Sequence, residues 1–194
     1  MNKREKNKVI IRKRLLKEAL FLFSTKGFEN TTIDEIVIAC NIAKGTFYNY
    51  YTDARALLDG VTNQINIEIQ LAIQESRKNS TCIYDFLYTS FKGYFDYVSR
   101  DDLINFFQKN HSYIRSVSYN RHTIKLIITD LEEALKSQKL RTKFKNELHL
   151  RLLTMIFMSA ASDLFLNIQT TEEAISNDEM AAFLADLFSK GLEE

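Results

Sequence analysis

Between Ala43 and Tyr51 the chain reads Ala-Lys-Gly-Thr-Phe-Tyr-Asn-Tyr-Tyr. Lys44 brings an ammonium, Thr46, Tyr48 and Tyr50 bring hydroxyls, Asn49 brings an amide, and Gly45 leaves the backbone open to close approach. These are the groups that fix phosphates and reach base edges in a nucleic-acid groove. On a helix Lys44 and Tyr48 share one face, with Gly45 and Asn49 beside them, while Phe47 and Tyr51 share the inward face. Gly45 within a helix costs about 1 kcal/mol relative to Ala, which makes sense if a phosphate or base edge must come near. The plain alternative is a small helical hairpin with a loosely packed glycine. The tripeptide Lys-Gly-Thr is a weak signal, but the whole run is not.

The elements that must position these residues announce themselves. Thr32 stands where an N-cap belongs and Glu35 follows at the capping-box spacing. Ile33, Ile36, Val37 and Ala39 supply the buried stripe of a short helix that ends near Cys40-Asn41, because Asn suits turns and left-handed backbone. A second short helix is expected from about Ala43 to Tyr50. Ahead of both, a helix over about Lys8–Lys26 carries Leu15, Leu16, Ala19, Leu22 and Phe23 at helical spacing and stops at Gly27. Lys3, Arg4, Lys6 and Lys8 at its start can add salt-sensitive backbone contacts that carry no sequence information. Behind the pair, a long helix from Asp53 to about Lys78 carries Leu57, Leu58, Val61, Ile65, Ile69 and Ile73 on one face.

Gly27-Phe28-Glu29-Asn30-Thr31-Thr32-Ile33, then Ala43–Tyr51, then Arg55-Ala56-Leu57-Leu58 together resemble the N-terminal domain of TetR-family transcriptional regulators, over about residues 8–69. The resemblance implies a helix-turn-helix DNA-binding head. In it Thr32, Lys44, Tyr48 and Tyr50 would hold phosphates, and Gly45, Thr46 and Asn49 would approach base edges. The family often has Ser-Lys-Glu at the start of its fourth helix; here the run is Asp53-Ala54-Arg55, which leaves Arg55 as the substitute for a phosphate-contacting lysine. Tyr51 stands in place of the commoner Phe. The resemblance also implies that the long fourth helix links the head to an effector domain and acts as its lever.

Composition agrees. The chain has 194 residues, 45% hydrophobic, with no proline and five glycines, so helices joined by short polar turns are expected throughout. The expected fold is all-α: a three-helix head at 8–52, its helix-turn-helix at about 33–52 and its extent reaching about residue 69, then a helical ligand-binding and dimerisation domain at 53–194. Further helices are expected at about 81–99, 101–109, 112–138, 143–168 and 177–192, with Asp101 and Ser176 or Asn177 as caps. Residues 1–55 hold 11 Lys and Arg against 6 Asp and Glu, and the remainder holds 15 against 19. A basic head on a mildly acidic body is what a chain needs when only its head meets phosphates.

Eleven of the 23 aromatics lie between Tyr84 and Tyr119. Such a cluster either fills the space between helices or lines a cavity for a hydrophobic or aromatic ligand. The ligand-binding candidates are Phe91, Phe95, Phe106 and Phe107, with Asn110, His111 and Arg115 as polar partners. Late in the chain Leu152, Ile156, Ser159 and Ala160, then Phe183, Leu184 and Leu187, mix bulky and small residues at helical spacing. They are the expected homodimer interface, which a two-fold operator reader requires. Leu152–Ala161 is apolar but too short to span a bilayer, and the N-terminus lacks the apolar run of a secretion signal.

Catalysis finds no support. Cys40 and Cys82 read as small buried residues, and His111, His122 and His149 lack metal-ligand spacing. Neither a glycine-rich phosphate loop nor a nucleophile elbow occurs. No cofactor or metal is expected, and the cytoplasm is the default location. The expected function is a regulator, most simply a repressor, that binds a palindromic operator as a dimer and is released by a small ligand. The alternative is a DNA-binding regulator controlled by a protein partner.

Overall fold

The computed structural model describes residues 2–117, 127–133, 146–168 and 175–192, except the side chains of 115–117 and 191–192. All secondary structure among them is helical: α1 Lys3–Lys26, α2 Ile33–Ala39, α3 Lys44–Tyr48, α4 Ala54–Ser76, α5 Ile83–Val98, α6 Asp101–Val117, α7 over 127–133, α8 Glu147–Ile168 and α9 Asn177–Leu192. Much of the helix expected at 112–138, with Tyr119 and His122, lies outside the described residues.

Helix starts are set by side-chain caps. Asn2 with Glu5, Thr32 with Glu35, and Ser176 with Glu179 each form a reciprocal capping box. Asp53 accepts from the Ala56 N–H at 2.8 Å. Asp101, an expected cap, is instead the first helical residue of α6, and the Arg100 carbonyl before it receives the first intrahelical bonds. Cys82, expected to be buried, is exposed and caps α5 by accepting from the Asp85 N–H.

The chain divides into two compact units, one from residues 1–66 and 100–117, the other from 67–99 and 118–194. In the first, Leu15, Ala19 and Phe23 of α1 meet Ile36 and Val37 of α2, Phe47 of α3, Leu57, Leu58, Val61 and Ile65 of α4, and Leu103 and Phe106 of α6, all buried. α6 packs on α1. Two helices were expected where α6 runs, with a break after Lys109. The structure agrees: Asn110 has a non-helical backbone (φ −118°, ψ 15°), and two helical segments meet there within α6. The buried Asn110 amide explains the kink: it accepts from the Phe28 N–H and donates to the Phe23 and Phe106 carbonyls. These units follow packing, and they cut the chain at other points than residue 52.

In the second unit α5 and α9 pack along their lengths. Ala181 and Ala185, one turn apart and fully buried, let the two helices approach. Phe91, Phe157 and Phe188 form an aromatic triad, and Phe95 stacks on Phe165. Arg77, just past the end of α4, pairs with Asp130 of α7 at 2.8 Å, both nearly buried, and Gln74 of α4 donates to the same carboxylate.

The apolar stretch in α8 is longer than expected. With 22 residues α8 is long and apolar enough to cross a membrane by length and composition. Its faces differ, however. Leu150, Thr154, Ala161 and Phe165 are buried in the unit, whereas Leu148, Leu152, Met155 and Ile156 form an exposed apolar stripe on the other side.

Candidate nucleic-acid interface

α2 and α3 are joined by a tight turn in which Asn41 takes a left-handed backbone (φ 49°) and the Ile42 N–H reaches the Val37 carbonyl at 3.0 Å. Arg14 on α1 donates to the Cys40 carbonyl at 3.2 Å and so ties down the end of α2. Burial pushes the Cys40 thiol up to about 11, which leaves it unreactive. α3 is anchored by Phe47, fully buried, and by Tyr51 just beyond its end. With that face turned inward, Lys44, Gly45, Tyr48 and Asn49 stand outward and exposed; Thr46 and Tyr50 are half-buried.

Tyr48 is 51% exposed and rests edge-on against Phe47, with ring centroids 5.4 Å apart. A Cβ placed on Gly45 would find no heavy atom within 4 Å, and its φ is not positive. Neither backbone strain nor internal crowding therefore requires glycine at this position. The space in front of Gly45 is open.

Residues 15–61 match the family described as bacterial regulatory proteins, tetR family. Over that segment the chain is similar to the N-terminal domain of this family. The HTH-type transcriptional regulator YuxN of Bacillus subtilis is 42% identical over 60 residues, 31% of this chain but only 19% of that protein's length. The chain thus matches about a fifth of that relative. Among solved structures, a fatty acid degradation regulator FadR from Bacillus halodurans superposes with a TM-score of 0.69 at 13% identity, covering 91% of this chain and 93% of that one. A FadR from Bacillus subtilis in complex with stearoyl-CoA gives 0.67 at 13% identity, with 93% and 98% covered. At these identities the likeness concerns the TetR-type fold.

Three of the expected DNA-contacting residues of this TetR-type head have partners within the chain. Lys44 pairs with Asp34 of α2 at 2.8 Å, and that contact raises the lysine's pKa. The Thr32 hydroxyl donates to Glu35 at 2.9 Å and accepts from the Glu35 N–H, so its proton is committed to the capping box. Glu35 also pairs with Lys26, and these bonds hold its carboxyl down at about 2. The Arg55 guanidinium lies 5.0 Å from the Tyr113 ring centroid, and the Tyr113 hydroxyl donates to Asp59. Sequence reasoning missed Asp34 because its proximity to Lys44 depends on the angle between α2 and α3. No spacing rule encodes that angle.

The ligand candidates fall into different units. Phe91 and Phe95 are buried in the aromatic core of the second. Phe106 and Asn110 belong to the first, where Phe106 fills the core and the Asn110 amide is spent on backbone groups; this removes Asn110 from the set of ligand partners. Phe107 and His111 are half-buried in the first unit, and the side chain of Arg115 lies outside the described residues. Of the dimer candidates, Leu152, Ile156, Phe183 and Leu187 are exposed, and Ser159 and Ala160 are half-buried. Leu184 is a correction: at 4% exposure it packs in the chain's own core. So does Phe188, which stacks on Phe91. The apolar stripe of α9 splits, with one edge facing inward and Phe183 and Leu187 facing out.

Proposed function

We propose that the chain is a ligand-responsive transcriptional repressor of the TetR type, acting in the cytoplasm as a homodimer on a palindromic operator. One observation carries the reading. α3 is pinned by Phe47 while its outer face offers Lys44, Tyr48 and Asn49 around a glycine with open space before it. Folding gains nothing from that glycine, whereas a duplex needs the clearance. Lys44, Tyr48 and Tyr50 would hold phosphates while Gly45, Thr46 and Asn49 approach base edges and thymine methyls. Lys44, Thr32 and Arg55 would each first leave a partner within the chain.

One short reader helix covers only a half-site, so two copies are needed. The exposed stripe of α8 and the outward Phe183 and Leu187 of α9 support a second copy as the partner. A lipid-spanning role fits less well, since a bilayer helix is apolar all round and one face of α8 is already buried. The effector is a hydrophobic or aromatic molecule, and an acyl chain is the first to test. The fold likeness to fatty acid regulators, one holding stearoyl-CoA, supports that choice. Phe91 and Phe95 are the residues to vary first. An effector releases DNA only by favouring a spacing of the two heads that the operator does not fit.

The test is selection of bound duplexes from a random library, followed by titration of the recovered duplex with fatty acids and acyl-CoA. The expected outcome is a two-fold symmetric sequence, released by at least one such ligand. Recovery of no preferred sequence would overturn the DNA-reading part. Tight binding indifferent to every small ligand would favour control by a protein partner.

A further inference from the structure

Asp34 is the second residue of α2, and its carboxylate meets the ammonium of Lys44, the first residue of α3. Both side chains are more than half exposed, so the pair contributes little to stability. α3 does not profit from the lysine either, since the positive end of a helix dipole disfavours a cation. The neighbouring acid, Glu35, is occupied by Lys26 and Thr32 and does not compete for Lys44. An exposed ion pair on the face proposed to meet DNA has a consequence there. A carboxylate about 3 Å from the ammonium cancels its field at a distance and is itself repelled by phosphate.

We propose that Asp34 holds DNA affinity in check, its carboxylate neutralising Lys44 until a fitting groove draws the lysine away. The inference rests on the DNA-binding reading above. On a fitting duplex the contacts of Thr46, Tyr48 and Asn49 offset the transfer of Lys44 from Asp34 to a phosphate. On an unrelated duplex those contacts are missing, and phosphate attraction alone must compete with a partner already in place. Asp34 thereby weakens binding to either duplex, and the operator complex bears the full cost of breaking the pair.

The experiment measures affinity for the selected duplex and for a scrambled one of equal length, across a salt series. The proteins are the full chain, Asp34→Asn, Asp34→Ser, Lys44→Ala and the Asp34→Asn/Lys44→Ala double variant. Asp34→Asn is expected to tighten the scrambled duplex roughly fivefold, the scale of one unit-charge contact in water. The selected duplex should tighten at least as much with its salt slope nearly unchanged, whereas the slope on the scrambled duplex should steepen by about one. Asp34→Ser repeats the result should the amide misfold, and in the Lys44→Ala background the effect shrinks to the relief of carboxylate–phosphate repulsion alone. Unchanged affinity on both duplexes would overturn the proposal, as would weakening on either or a full effect without Lys44. Failure of the unsubstituted chain to prefer any duplex is a separate outcome: it overturns the DNA-binding reading and this inference with it.

Discussion

Tyr51 closes the first unit behind α3, and its phenol oxygen is buried with no hydrogen-bond partner among the described residues. Gly60 of α4 makes room for it; a Cβ there would lie 3.1 Å from that oxygen. A buried hydroxyl without a partner is a cost that its removal relieves. Tyr51→Phe should therefore raise stability by about 1 kcal/mol, read as a higher melting temperature, while Gly60→Ala lowers it. Glu35 makes one acid-sensitive contribution to the unit. Its carboxyl sits near 2 in the fold against an ordinary 4.5, so its contribution is complete above about pH 5 and is lost as pH falls toward 2. Glu35→Gln should lower the melting temperature at pH 7 and flatten its decline over that window. At this scale the sequence was informative wherever one residue type has one use. Thr32 and Glu35 declared a cap, Asn41 a left-handed turn, and Gly45 an open face. Asp34 and Arg55 were opaque, since their partners are set by how helices cross.

Helices were legible because their ends are chemically marked and the chain holds no proline. The boundaries of α2, α4, α5 and α9 fall within a few residues of expectation. The polar residues after Lys109 read as a break, and the backbone is indeed non-helical at Asn110, whose amide is spent on three backbone groups. Asn110→Ala should cost roughly 1–3 kcal/mol by leaving the part-buried Phe28 N–H without its acceptor, while the Phe23 carbonyl keeps the Gly27 N–H. Gly93 of α5 is another close approach, invisible from spacing. A Cβ there would stand 2.6 Å from the Ser76 hydroxyl and 3.3 Å from the Ala72 carbonyl of α4. Gly93→Ala should lower stability by about 1–3 kcal/mol through overpacking, in a denaturant titration with an unchanged slope.

For the whole molecule, the basic head and mildly acidic remainder were readable from charge alone. The division of apolar stripes between core and surface was not. Phe183, Leu184, Leu187 and Phe188 share one helical pattern, but only coordinates separate the outward pair from the inward one. If the outward stripes are the dimer contact, Phe183→Glu combined with Ile156→Glu should yield a monomer in sedimentation with helicity retained. Operator affinity should then fall by orders of magnitude, while the weaker half-site binding persists.

The central claim is that the outer face of α3 meets a duplex. The direct measurement is the affinity of Lys44→Ala and Tyr48→Phe for the selected duplex as salt is raised. Both variants should bind more weakly than the unsubstituted chain, and Lys44→Ala should flatten the salt slope by about one. Unchanged affinity in both, with the slope intact, would contradict the account.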